Sequence, residues 1–275
     1  MALTSFDPGF IAAAKQFLSF SRLASRTAVA ASWFSVFDLA GNPGAGVLAG
    51  TSTAAGVVPT DATAGTPIIN AFGGAATGYL AQVDFGNTVA CRMKLMDMLF
   101  KAGAYAFTAG STALAAQPSY SSRVPAGTDF SETQIWIEVT TAFVTGTAWQ
   151  VQVTYTNQSG VAGRSAIILP AQAAAGLTLG RMYQLALQAG DAGVQKIESV
   201  IVTNGGTAMT AGNFNVLVLK PLWGGRVRAA NDGDVHDLAK TGLANVYTDS
   251  AIVLLVSPDS TSTGIPEIEF VIANG

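Results

Sequence analysis

Charge is what this sequence most lacks. Of 275 residues, 14 are Lys or Arg and 17 are Asp or Glu, together 11%, where an ordinary soluble domain carries about 25%. A monomer normally stays soluble and apart from its copies by covering itself with mixed charges. A chain this poor in them must present Ala, Thr, Ser and Gly over much of its surface, which suits a protein covered by neighbours. With a formal net charge of −3, no positive field draws nucleic acid, and no nucleic-acid partner is expected.

Cysteine and histidine are almost missing. Cys91 alone excludes an internal disulfide and a multi-cysteine zinc site; its simplest reading is a small buried hydrophobe. Long apolar runs are absent too. The segment "AIVLLV" (251–256) is strand-sized, against roughly 20 residues needed to span a bilayer, so no membrane partner is expected. The start, "MALTSFDPGF", has no basic n-region and carries Asp7, so no secretion signal is predicted.

The single histidine, His236, lies in "NDGDVHD" (231–237) among Asp232, Asp234 and Asp237. A catalytic zinc ion generally takes three protein ligands, most often histidines, and this chain has one. An EF-hand reading fails because "DGDVHDLAKTGL" has no glutamate at its twelfth position; a looser calcium site completed by backbone carbonyls stays open. A Ser–His–Asp triad is arithmetically available, but no GxSxG-like setting for a nucleophile occurs. No cofactor, metal or catalytic residue is therefore predicted, and the chain is not read as an enzyme. The denser feature is charge itself: Arg226, Arg228, Asp232, Asp234, Asp237 and Lys240 put six charges into fifteen residues. That cluster is either a solvated loop or a polar contact with a neighbouring subunit, where arginine's planar fork can bind carboxylates twice.

What the chain has in abundance is apolar and small residues. Hydrophobic residues make up 49%, mean hydropathy is +0.39, and a chain of this length buries roughly three quarters of its unfolded surface. "FDPGFIAAAKQFLSFSRLAS" offers Asp7 as an N-cap and Pro8 at the first helical position, with Phe10, Ala14, Phe17, Leu18 and Ser21 at helical spacing. This predicts an amphipathic helical arm over residues 1–30, with Phe10 and Phe17 laid on its own domain or on another subunit. Residues 40–78 are rich in Gly, Ala, Thr and Pro. Within them "GAGVLAG" resembles a nucleotide-binding loop, but "TSTAAGVVPT" follows where a helix is required. An irregular loop is the better reading.

In "NTVACRMKLMDMLFKAGAYAF" the alternation of Val89, Cys91, Met93 and Leu95 predicts a strand running into a turn. From residue 131 the pattern is β throughout. "ETQIWIEVTTAFV" sets Ile135, Ile137, Val139 and Phe143 on one face and Trp136 on the other; "AWQVQVTYTNQ" sets Trp149, Val151, Val153 and Tyr155 together. The two are predicted to pair as a hairpin with one wet face, continued through "NQSG" into "RSAIILP". Phe214–Leu219 and Ile252–Val256 are apolar on both faces and are predicted as central strands. The fold class is mainly β: an antiparallel β-sandwich or jelly-roll-like domain with an N-terminal helical arm. Residues 31–275 are read as one β-rich domain, irregular and Gly/Ala-rich over 31–130, with the sandwich core over 131–275.

Several segments occur in a familiar order: "LFKAGAYAF", "SSRVPAGTDFSETQIWIEVTTA", "VTYTNQSGVAGRSA", "YQLALQAGDAGVQKIESV", "TAGNFNVLVLKPLW" and "TGLANVYTDSAIVLLVSPDSTSTGIPEIEFVIANG". Together they resemble a family of virion structural proteins of tailed bacteriophages, over roughly residues 90–275. The resemblance implies a capsid decoration or cement protein. It would be made in the host cytoplasm and carried on the virion as a homo-oligomer, for which a trimer is the natural guess, with other virion proteins such as the major capsid protein as partners. It fixes no binding residues. The alternative is a tail, collar or fibre component with a carbohydrate- or receptor-binding sandwich, for which Trp136 is the exposed aromatic candidate.

Overall fold

The computed structural model describes residues 13–72, 77–142, 148–168, 177–204 and 212–275. In chain order the strands are β1 Lys15–Arg22, β2 Trp33–Ser35, β3 Gly41–Asn42, β4 Thr77–Asn87, β5 Cys91–Ala106 and β6 Gly110–Ala113. After two short 3-10 turns come β7 Gln134–Thr141, β8 Trp149–Asn157, β9 Arg164–Ile167, β10 Arg181–Gln184 and β11 Val194–Asn204. The last are β12 Asn213–Val227, β13 Asp232–His236, the one-turn helix α1 Leu238–Thr241, β14 Asn245–Tyr247, β15 Ile252–Pro258 and β16 Pro266–Asn274. The fold is mainly β, with antiparallel sheets in a sandwich-like arrangement.

Two compact units form, neither contiguous in sequence, where the sequence reading drew one β-rich domain from residue 31. The first comprises residues 1–47, 60–97 and 221–275; the second comprises 48–59 and 98–220. In the first unit, β13, β4, β16, β1 and β3 make one sheet. Its inner face, including Phe20, Leu80, Val83, Ile268 and Phe270, packs on Met93, Leu95, Ile252, Leu254 and Val256 from β5 and β15. In the second unit, the sheet β6-β11-β8-β9 sets Trp149, Val151, Val153 and Tyr155 against Ile135, Ile137, Phe214 and Val216 of β7 and β12.

The helical arm is corrected. Residues 15–22 are a strand, with Phe17 opposite Val271 and Phe20 opposite Ile268 of β16. The segment Leu18-Ser19-Phe20-Ser21 has a period of two, and that alternation, backed by a full partner strand, outweighs the helical spacing of the more distant apolar residues. Leu18 and Phe20 belong to the first unit's core, whereas Phe17 is 78% exposed. Phe10, with the Asp7–Pro8 start of the expected helix, lies outside the described residues.

The hairpin between residues 131 and 157 is also corrected. Strand β7 pairs with β10 and β12, and β8 pairs with β9 and β11. Every residue from Ile135 to Val139 is buried, so β7 has no wet face and Trp136 is fully enclosed. The pairing of β8 with β9 across "NQSG" agrees with the expectation. So does the placement of Trp149 and Tyr155 in the core. Strand β15 is buried along its whole length, as predicted for a central strand. Strand β5 runs from Cys91 to Ala106, the strand expected there, and bends follow at 107–109.

The Gly/Ala-rich tract is irregular but tied down. In the first unit the buried Arg22 donates from Nη1 to the carbonyls of Leu39 at 3.0 Å and Pro43 at 2.7 Å. Asp61 accepts from Ile69 N at 2.9 Å. In the second unit Arg123 donates to Met98 O at 2.6 Å and to Pro59 O. Buried guanidinium groups thus satisfy backbone carbonyls of the tract and tie it to neighbouring segments, Met98 of β5 among them. Cys91 is fully buried and its thiol is pushed up by that burial, in keeping with the hydrophobe expected.

Candidate interaction groove

The charged cluster of residues 226–240 is largely strand and cap. After β12, Asn231 takes a left-handed conformation (φ 57°), which its short polar side chain tolerates, and its N–H bonds to Asn87 O at 3.0 Å. The chain returns as β13, pairing Asp232 with Asn87, Asp234 with Phe85 and His236 with Val83 of β4. Asp237 then caps α1, its carboxylate accepting from Lys240 N at 3.4 Å.

His236 is held from two sides. Its Nδ1 accepts the indole N–H of Trp223 at 2.9 Å, and its ring meets Phe85 edge-on at 5.0 Å. Because indole can only donate, Nδ1 is the bare nitrogen and Nε2 carries the proton, facing Asp234 Oδ2 at 3.5 Å. Asp234 also lies 3.6 Å from Lys240 Nζ. Its carboxyl is held below the ordinary range by the Val235 N–H first, then by Lys240 and His236. At Gly225 a Cβ would meet the Trp223 ring at 2.3 Å, so glycine there leaves room for the indole.

Beside this cluster runs an open groove of 850 Å³. It collects Arg226, Arg228 and Asp234 from the predicted set, and adds Arg92, Lys94 and Trp33 from elsewhere in the chain. The Lys94 ammonium sits 4.8 Å from the Trp33 ring centroid, a cation–π contact, and burial pushes its pKa down. Arg226 reaches Asp259 at 3.7 Å, both well exposed. Four cations in one groove is a concentration in a chain with 14 in all. Asp232 and Asp237 are exposed but do not line it, and Phe17 lies elsewhere on the first unit, along β1. Arg92 and Lys94 were missed in sequence, although the alternation that buries Cys91, Met93 and Leu95 puts both on the opposite face of β5.

Among the described residues no group of three or more His, Cys, Asp and Glu side chains could hold a metal ion. No described helix is long and apolar enough to cross a membrane.

No family model matches the chain, and no curated protein sequence matches it. Among solved structures, the chain is similar at 10% identity and a TM-score of 0.25 to the VP2 subviral particle of infectious bursal disease virus, covering 98% of this chain and 82% of that one. The infectious bursal disease virus Gx strain structure follows at 9% identity and a TM-score of 0.23, covering 94% and 80%. Scores this low do not establish a common fold.

Proposed function

We propose that the protein is a structural component of a tailed-bacteriophage virion, associated with the capsid as a decoration or cement protein and acting through contacts between subunits. The observation that carries this reading is apolar exposure on a charge-poor chain. In the first unit Phe17 is 78%, Leu23 74%, Ile68 69% and Val47 61% exposed. Apolar groups left in water beside so few charges fit surfaces that neighbours cover. The ordered segments over residues 90–275 support the same class. Modest contacts repeated around a shell resist rupture by multivalency.

The fibre alternative relied on Trp136 as a sugar platform, and a fully buried indole cannot serve as one. Gold-labelled antibody on intact particles tests the proposal. Label spread over the head supports a decoration role. Label at one vertex or along the tail moves the protein to a collar or tail role, and its absence from purified particles overturns the virion reading.

A further inference from the structure

The first unit carries exposed charge in two places: carboxylates on the outer face of the β13-β4-β16-β1-β3 sheet, and cations on β5 and at the end of β12, strands of the sheet packed against its inner face. On β4 and β16, Asp84 stands directly opposite Glu269, and Glu267 is opposite Gly86. All three carboxylates are exposed, and among the described residues none is in an ion pair. Phe17, opposite Val271, and Val235, opposite Asp84 and 46% exposed, give the same face an apolar component. Lys15 lies at its far end along β1.

Side chains alternate across a sheet. On β13, Val235 therefore points to the acidic face, and Asp234 and His236 point to the other, where they line the basic groove. There Arg92 and Lys94 of β5 lie next to Arg226 and Arg228, which belong to the end of the adjacent β12 and the residue beyond it. At the groove, Asp234 already meets Lys240 at 3.6 Å and His236 at 3.5 Å, and Asp259 meets Arg226 at 3.7 Å.

Two observations call for a partner. Like charges directly opposite each other on neighbouring strands destabilise a sheet, and Asp84 with Glu269 is such a pair. Both patches also belong to one compact unit and face opposite ways, so a chain cannot close its acidic face onto its own groove. The two patches are opposite in charge, and each has an apolar element beside its charges: Phe17 and Val235 among acids, Trp33 among cations.

We propose that copies of this chain associate head to tail, the Asp84–Glu267–Glu269 face of one docking on the Arg92–Lys94–Arg226–Arg228 groove of the next. The contact is heterologous, so it builds rings when the rotation closes and filaments when it does not. This deepens the reading that the chain works by subunit contacts, and it can fail while that reading survives.

The test is sedimentation velocity of the purified full chain across concentration and salt. Wild type should self-associate, more weakly as salt rises. Arg226→Glu with Arg228→Glu, or Asp84→Lys with Glu269→Lys, should each weaken association by about tenfold or more, with unchanged circular dichroism because all four positions are exposed. Mixing the two double variants should restore association, and so should placing all four substitutions in one chain. A wild type that stays monomeric at every concentration overturns the proposal. So do variants that associate like wild type, or loss that neither mixing nor the fourfold swap rescues. A monomeric protein that still labels particles would refute only the head-to-tail contact; an associating protein absent from particles would refute only the virion role.

Discussion

The indole N–H of Trp223 and the Nδ1 of His236 meet at 2.9 Å, joining β12 to the edge strand β13 beside the basic groove. Trp223 is 5% exposed, so its donor has little access to water once the acceptor is removed. An orphaned buried donor costs roughly 1–3 kcal/mol, whereas removing both partners can be nearly neutral. His236→Ala should therefore lower unfolding free energy by about that amount, with a further loss from ring packing on Phe85. Trp223→Phe combined with His236→Ala should cost less than the sum of the two single changes. Urea unfolding of the three variants measures the difference, and strict additivity would show that the bond contributes nothing of its own.

In the second unit, Asp191 ties its own loop to two strands, β8 and β9, through one carboxylate. It accepts from Arg164 Nε at 2.8 Å, Tyr155 Oη at 2.6 Å and Asn157 Nδ2 at 2.7 Å, and its side chain is 3% exposed. Hydrogen bonding to Arg164 is the main cause of a pKa lowered to about 2. Because the folded value lies below the unfolded one of about 3.9, the stabilisation is complete above that value and is lost as pH falls toward about 2. Thermal midpoints measured down through this window should fall for wild type. Asp191→Asn should start lower and change less, and parallel curves for the two proteins would refute the assignment.

Trp136 shows what the sequence concealed. A strand buried on both faces carries no polar alternation to mark which side meets water, so Trp136, opposite the Ile135–Ile137–Val139 face in the pattern, read as exposed. The same ambiguity suggested pairing β7 with its neighbour in sequence rather than with β12, more than seventy residues on. Strands β8, β12 and β15 were legible because alternation or unbroken apolar runs admit one reading each. The charged half of the groove was legible as a local excess of charge. Arg92, Lys94 and Trp33 were not, because only the sheet brings those segments together.

The burial of Trp136 has a measurable consequence. Its ring is fully enclosed and its indole N–H donates to Gln134 Oε1 at 3.0 Å. Trp136→Ala should cost about 3–5 kcal/mol through the cavity it leaves, and Trp136→Phe clearly less. A Trp136→Ala protein as stable as wild type in guanidinium would place the side chain at the surface after all.

Gly50 and Gly44 lie six residues apart in the Gly/Ala-rich tract, yet their surroundings set opposite requirements. A Cβ on Gly50 would fall 1.8 Å from Ala104 N and 1.8 Å from the Gly103 carbonyl carbon, both backbone atoms of β5; one on Gly44 would meet nothing within 4 Å. Backbone cannot swing aside as a flexible side chain can, so Gly50→Ala must push the tract off the strand. Nearby, Tyr105 Oη donates to Thr53 O at 2.8 Å and Gly103 N to Ser52 O at 3.2 Å, so these contacts would be lost with it. The expected outcome is a loss of roughly 1–3 kcal/mol or more for Gly50→Ala, with Gly44→Ala within about 0.5 kcal/mol of wild type. Limited proteolysis should cut the tract faster in the first variant than in the second. Equal stability and equal cleavage would mean that composition alone holds the tract, and that its close approach to β5 has no energetic weight.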